Sequence, residues 1–329
     1  MLSKIELFNV AETKKTSLGY RLSRYPEEIR KSLSGYGNYV AEYSDSSEIR
    51  FIRKKGSYVK VTLMAENADG VVTVMYGDRT LKNVNVKAWN FVSLTLNDSL
   101  TDAFPDEAFK DDLYNRHLVR IVLSGATFIL CDIEYCGDDI SLPEKSDMPD
   151  KTFVAYGSSI THGAGSISAP LCYINQTARL LGAQVINKGL GGSCLAEHEV
   201  ADYITDLEYD FLVFEIGTNM YWLTSIEEVY ERGKYFIEKH FEKNPDKYLF
   251  LIEPLLPHEK FKDVERYERF MTNLRNLHKE INNEKCILIP ADKVQDKLSY
   301  ISGDGSHPST EGHMAMGLNV ANIIKPYLD

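Results

Sequence analysis

The feature that most constrains the fold is a change of hydrophobic period near residue 145. Before it, apolar and polar side chains alternate in short runs: 47–53, 58–64, 71–76, 91–96, 117–123 and 127–135. A period of two places one face of each run in a core and the other in solvent. Turn residues separate the runs, among them Asn67-Ala-Asp-Gly70, Gly77-Asp78, Asn97-Asp98 and Ser124-Gly125. Residues 1–145 therefore read as an all-β, jelly-roll-like sandwich domain. After it, near-continuous apolar runs appear at 152–156, 184–187, 211–216, 248–252 and 286–289. Such runs suit parallel strands buried on both faces. Helical patterns lie between and after them, over 169–181, after a Ser225/Glu228 capping box, over 262–282 and from about 309 to 324. Five βα units in a row predict a flavodoxin-like three-layer α/β/α domain over 146–329. The polar, proline-bearing and aperiodic stretch 138–150 reads as the linker between the two domains.

Charge and cysteine content narrow the class. Acidic residues outnumber basic ones on both sides of residue 150, for a formal net charge of −11. That balance argues against nucleic acid or an anionic membrane as partner. No apolar run approaches the roughly 18 residues of a membrane span, and the charged start is unlike a signal peptide. The five cysteines show no metal or redox spacing, so they read as reduced thiols in a cytoplasmic protein.

The chemistry concentrates where strands end. Phe153-Val-Ala-Tyr-Gly-Ser-Ser159 is an apolar run that breaks into a tight turn, which lifts Ser159 out at the carboxyl edge of a sheet. A serine before a helix is commonly only a cap. As a nucleophile it needs a base. Gly303-Asp304-Gly-Ser-His307-Pro308 offers one near the other end of the chain, with Asp304 spaced to orient His307. His162 is a rival base but, three residues after the serine, it reads as a rim residue. Donors for an oxyanion are available on two loops: the glycines of 187–193 and the side-chain amide of Asn219. Trp222, close to Asn219, could stack on a sugar ring, restrict an acyl pocket or anchor its loop. Glu215 reads as a partnered polar position in an apolar strand, Glu253 as a strand-end carboxylate near the same edge, and Cys194 as a buried small hydrophobe.

Four blocks, at 157–163, 187–192, 217–219 and 304–308, resemble the characteristic blocks of the SGNH/GDSL hydrolases and come in that family's order. The resemblance covers about residues 151–329. It implies Ser159 as nucleophile, His307 as base, Asp304 as its partner, and an oxyanion hole of the Ser159 N–H, the Gly192 N–H and Asn219. Two positions depart from the pattern: Ser158 stands where the family usually has Asp, and Met220 where it usually has a second Asp. The domain order is similar to that of two-domain carbohydrate esterases. That similarity implies a serine esterase acting on small O-acyl esters, above all O-acetyl groups of sugars or oligosaccharides. Trp222 and His162 would line the substrate site, and no metal or organic cofactor is implied. A short-chain lipid or aryl esterase, and a carbohydrate-binding protein with a vestigial site, are the alternatives. For the first domain, sugar binding, a wall of the cleft and homo-oligomerisation all stay open.

Overall fold

The alternating runs of the first half pair into two antiparallel sheets. In the computed structural model, which describes residues 2–328, the strands are β1 (Glu6–Phe8), β2 (Glu12–Lys15), β3 (Tyr20–Ser23), β4 (Glu48–Arg53), β5 (Val59–Ala65), β6 (Gly70–Tyr76), β7 (Arg79–Val86), β8 (Phe91–Leu96), β9 (Leu118–Ser124), β10 (Phe128–Glu134) and β11 (Ile140–Ser141). One sheet runs β1-β4-β9-β6-β7 with β11 also on β4, and the other runs β2-β3-β10-β5-β8. Alternate residues of the two sheets, among them Ile49, Phe51, Val61, Leu63, Val72, Val74, Ile121, Phe128 and Leu130, form one buried core, the packing of a β-sandwich. β2 and β7 escape the sequence pattern because they are polar edge strands, whose outward face has no apolar requirement.

One polar cluster lies inside this unit. Arg50 of β4 and Arg120 of β9 stand directly opposite each other in the ladder. Glu48 separates the two charges, taking Nε of Arg50 at 2.8 Å and both Nε and Nη2 of Arg120 at 2.8 and 2.6 Å. Burial alone would raise the Glu48 carboxyl, but the two guanidinium groups outweigh it and hold it at about 2. The stretch read as a linker is fastened to the same unit. Ile140 pairs with Arg53, Asn115 Nδ2 donates to Asp147 at 2.7 Å, and Glu144 and Asp147 cap a short helical turn reciprocally.

The second half forms a parallel sheet of β12 (Lys151–Tyr156), β13 (Ala183–Asn187), β14 (Phe211–Glu215), β15 (Leu249–Ile252) and β16 (Cys286–Ile289). Its order, β13-β12-β14-β15-β16, reverses direction at β12. Ligand sites of open α/β sheets lie at that reversal, outside the carboxyl ends of the strands. The helices of this unit are α1 (Glu27–Ser32), α2 (Gly37–Ala41), α3 (Ser159–His162), α4 (Tyr173–Leu181), α5 (His198–Thr205), α6 (Met220–Leu223), α7 (Ile226–Lys243), α8 (Glu259–Lys262), α9 (Val264–Ile281), α10 (Ala291–Val294) and α11 (Thr310–Ile324). α4 packs on α11, while α7 packs on both α5 and α9.

Three details differ from the sequence reading. α1 and α2 lie within the stretch read as β, and residues 27–41 group with the α/β unit. The helix expected over 169–181 starts at Tyr173, after a single helical turn and an extended Cys172. The Ser225 hydroxyl caps the N–H of Glu228 at 3.1 Å, but the Glu228 carboxylate turns to Arg232, so only half of the capping box forms. Among the described residues no helix is long and apolar enough to cross a membrane.

Among the described residues of the α/β unit, the imidazoles of His240 and His313 are fully buried. His240 bonds to Tyr209 Oη at 3.0 Å and to the Lys247 carbonyl at 3.2 Å, and His313 bonds to the Ala164 carbonyl at 2.9 Å. Burial lowers both to about 4, against the opposing pull of those carbonyls. The unfolded chain takes up these protons from about pH 6.5 downwards, whereas the folded chain does so only near pH 4. Their contribution is therefore complete above 6.5 and drains as pH falls to 4. Glu48 contributes above 4.5 and its contribution drains towards pH 2. Amide exchange read on α7 and α11 peptides should accelerate between pH 6.5 and 4, after correction for intrinsic rates, while β4 and β9 peptides hold until lower pH. Simultaneous loss in both units would contradict this assignment.

Candidate active site

Ser159 opens α3 immediately beyond β12. Ser158, fully buried, is the N-cap residue, and its hydroxyl accepts the Ile160 N–H at 3.3 Å. The Ser159 hydroxyl lies 2.8 Å from Nε2 of His307. On the other side of the ring, Nδ1 lies 2.7 Å from Oδ2 of Asp304. Oδ1 of Asp304 accepts the N–H groups of Ser306 and His307 at 2.9 Å and the Ser302 hydroxyl at 2.8 Å. The bond to the His307 ring and these donors hold the Asp304 carboxyl well below the usual carboxylate range. An ionised carboxylate only accepts, so Nδ1 carries the ring proton and Nε2 is left as the acceptor facing Ser159.

The histidine loop is seated against the segment that leaves α3. A methyl group on Gly165 would fall 2.0 Å from the Pro308 carbonyl oxygen. Ile301 and Pro308 close the loop as a β-bridge, and the Ser302 N–H reaches the His307 carbonyl at 2.8 Å. The Ser159–His307 approach is thus held by backbone packing as well as by the side chains.

The glycine loop after β13 is fixed from below. Asn187 donates Nδ2 to the Thr161 carbonyl at 2.8 Å and accepts the Gly189 N–H at 2.9 Å. The Leu190 N–H reaches the Gly157 carbonyl at 2.8 Å. Gly189 presses on α3 so closely that a Cβ would fall 2.4 Å from the His162 nitrogen. A Cβ on Gly191 would lie 3.7 Å from Ser159 Cβ, so the loop passes beside the serine. After β14, Oδ1 of Asn219 accepts the Cys194 N–H at 3.1 Å, which orients the amide and leaves Nδ2 as its open end. The N–H groups of Ser159 and Gly192 and Nδ2 of Asn219 have no acceptor among the described residues.

The other residues singled out in the sequence take quieter places. His162 is buried, and its Nδ1 accepts the Gly191 N–H at 3.2 Å, so it supports the glycine loop. Trp222 lies on α6, 48% exposed, edge-on to Tyr221 with ring centroids 5.3 Å apart. Glu253 is taken by Arg275 at 2.7 Å and by the Ala291 N–H at 3.1 Å, an arrangement that ties α9 and α10 to β15. Burial, reinforced by Glu215, pushes the Cys194 thiol far above its ordinary value, which leaves it unreactive. Among the described residues no cluster of three or more His, Cys, Asp or Glu side chains is arranged as a metal site.

Sequence reasoning reads Glu215 as a partnered polar position without naming the partners. At the end of β14 it is fully buried. It accepts the Ser158 N–H at 2.6 Å and hydroxyls from Thr161 at 3.4 Å and from Thr218. Burial raises its carboxyl, and these donors oppose the rise.

A three-layer parallel domain with a Ser–His–Asp hydrogen-bonded chain at the sheet's reversal point belongs to the α/β class in which ester hydrolases occur. The family model for GDSL-like lipases and acylhydrolases matches residues 150–325, and the chain belongs to that family of ester hydrolases. A search of curated proteins finds no match. Among solved structures, the salicylyl-acyltransferase SsfX3 of a tetracycline biosynthetic pathway is similar at TM-score 0.79 and 15% identity, over 98% of this chain and 96% of that one. A putative GDSL-like lipase from Bacteroides ovatus follows at TM-score 0.73 and 17% identity, over 99% and 96%. A family two carbohydrate esterase from Clostridium thermocellum, in complex with cellohexaose, is similar at TM-score 0.67 and 15% identity, over 98% and 99%. At these identities the likeness is one of fold.

The glycine loop generates a contrast between two alanine substitutions. Gly189→Ala must displace the backbone of α3, whereas at Gly192 nothing lies within 4 Å and only its φ of +71° opposes a side chain. Gly189→Ala should lower the unfolding free energy by about 1–3 kcal/mol, as overpacking does. It should also slow hydrolysis of nitrophenyl acetate more than Gly192→Ala. Equal effects in urea titrations and assays of the two variants would show that the loop does not bear on α3.

Proposed function

We propose that this chain is a serine esterase that removes small O-acyl groups, most simply O-acetyl groups, from sugars or oligosaccharides. The observation that supports the mechanism is the continuous hydrogen-bonded chain from Asp304 through His307 to Ser159, at 2.7 and 2.8 Å. His307 Nε2 takes the proton as Ser159 Oγ attacks the acyl carbon. The charge that develops on the carbonyl oxygen is met by the N–H groups of Ser159 and Gly192 and by Nδ2 of Asn219. The imidazolium, stabilised by Asp304, protonates the leaving sugar oxygen. Water activated by the same ring then hydrolyses the acyl-serine and releases the acid.

The exposed indole of Trp222 supports a stacking role against a sugar face. Family two carbohydrate esterases among the structural neighbours, one of them in complex with cellohexaose, support an oligosaccharide ester as substrate. In this reading the β unit, expected over 1–145 and found without residues 27–41, is the accessory domain and the α/β unit the catalytic one. A cytoplasmic enzyme would act on imported, already shortened oligosaccharides. Esters of short-chain lipids are the competing substrates.

A fluorophosphonate should label the wild type and not Ser159→Ala, and an unlabelled wild type would overturn the esterase reading. Asn219→Ala should lower kcat by about 10²–10³, the usual loss for one oxyanion donor. Acetate release from acetylated xylo-oligosaccharides, followed by NMR, should exceed hydrolysis of longer-chain nitrophenyl esters. A preference for long acyl chains would overturn the sugar deacetylase reading.

A further inference from the structure

Glu215 is a fully buried carboxylate that the mechanism above does not use. No cation pairs with it among the described residues. Its partners are hydrogen-bond donors on two separate turns. On one side Oε2 accepts the Ser158 N–H at 2.6 Å and the Thr161 hydroxyl at 3.4 Å, thereby gripping both ends of the turn that carries Ser159. Thr161 is itself held by Tyr173 Oη at 2.8 Å. On the other side Oε1 accepts the Thr218 hydroxyl. Thr218 Oγ1 in turn accepts the Leu255 N–H at 2.8 Å, which fixes the turn immediately before Asn219. The Glu215 carbonyl also faces the Cys194 thiol at 3.7 Å, and the Cys194 N–H orients the Asn219 amide.

A carboxylate suits this place because both of its oxygens accept. An amide keeps a single acceptor oxygen; with that oxygen on Ser158 it turns N–H₂ to the Thr218 hydroxyl, which must then accept rather than donate. An apolar side chain would strand the Ser158 N–H and the Thr218 hydroxyl in the interior. Burying an unpaired charge is costly, and satisfying it by several donors at once makes the group a rigid node rather than a surface ornament. The departure at Ser158 fits the same picture. A neutral residue occupies the turn itself, and the negative charge reaches it from the end of β14.

From this geometry we infer that Glu215 is the positioning residue that sets Ser159 relative to the Asn219 amide. It acts through Ser158 and Thr161 on one turn and through Thr218 on the other, and touches no substrate. The kinetic part of the inference rests on the esterase reading, whereas the structural part does not.

The test compares wild type, Glu215→Gln and Glu215→Asp by steady-state kinetics on nitrophenyl acetate and by amide exchange mass spectrometry. Glu215→Gln should lose about 10- to 100-fold in kcat, the scale of a small misplacement of a reacting group, with KM within about twofold of wild type. Glu215→Asp, which keeps both acceptor oxygens, should recover part of that loss. Peptides covering 157–163 and 217–220 should exchange at least about tenfold faster in Glu215→Gln, with peptides of β15 and α9 unchanged. If Glu215→Gln does not fold, Thr218→Val replaces it, and exchange should then accelerate over 217–220. A wild type without esterase activity but with this exchange pattern would leave the positioning role standing and remove the esterase reading. A folded Glu215→Gln with wild-type kcat, or with unchanged exchange on both turns, would overturn the inference.

Discussion

The site depends on one non-local contact. Ser159 and His307 are 148 positions apart and meet at 2.8 Å. Their meeting follows from where α11 packs. α11 lies on α4, the helix that leads from the Ser159 segment into β13. His313 of α11 joins the two, with Nδ1 accepting the Tyr173 N–H at 3.1 Å and Nε2 donating to the Ala164 carbonyl at 2.9 Å. That pattern requires a neutral ring, and burial keeps it neutral by lowering it to about 4. The loop that carries His307 enters α11 through a Ser309 cap, whose hydroxyl takes the Gly312 N–H at 3.2 Å. His307, on a surface loop, is therefore as well placed as the helix behind it.

The two units each bury a carboxylate and stabilise it in opposite ways. Glu48 faces two guanidinium groups, and their charge overcomes desolvation, so its carboxyl falls to about 2. Glu215 faces neutral donors, and desolvation prevails, so its carboxyl rises. The first arrangement keeps two like charges apart inside a sheet. The second holds the turn that carries Ser159 through neutral donors, and among the described residues no cation pairs with Glu215.

Much of this was legible in the sequence, and the limits are physical. The parallel strands were readable to within a residue or two because burial on both faces demands continuous apolar runs, as in Phe211–Glu215 and Leu249–Ile252. β2 and β7 were not, since edge strands tolerate lysine, asparagine and arginine on their free face. α5 was missed because it spans only eight residues, a short window for its period even though its four buried positions share one face. At the site, Ser159, His307, Asp304 and Asn219 stand out because glycine-rich turns are locally distinctive, whereas Gly192 is singled out within its loop by the family resemblance. His162 was visible, but only the packed chain shows its Nδ1 under Gly191.

Glu215 marks the limit most clearly. Of its donors only Thr218 is local, and the others come from residues 158 and 161, more than 50 positions away. Its meaning lies in the parallel register, which sets Ala155 beside Val213 and Tyr156 beside Phe214 and so brings the residues beyond them together. Ser158, where the family it resembles usually has Asp, brings no charge of its own to the turn. A charge at the end of the neighbouring strand reaches the same N–H, and two carboxylates there would repel each other in a medium that screens them poorly. The backbone N–H of residue 158 is thus held by residue 215, 57 positions away.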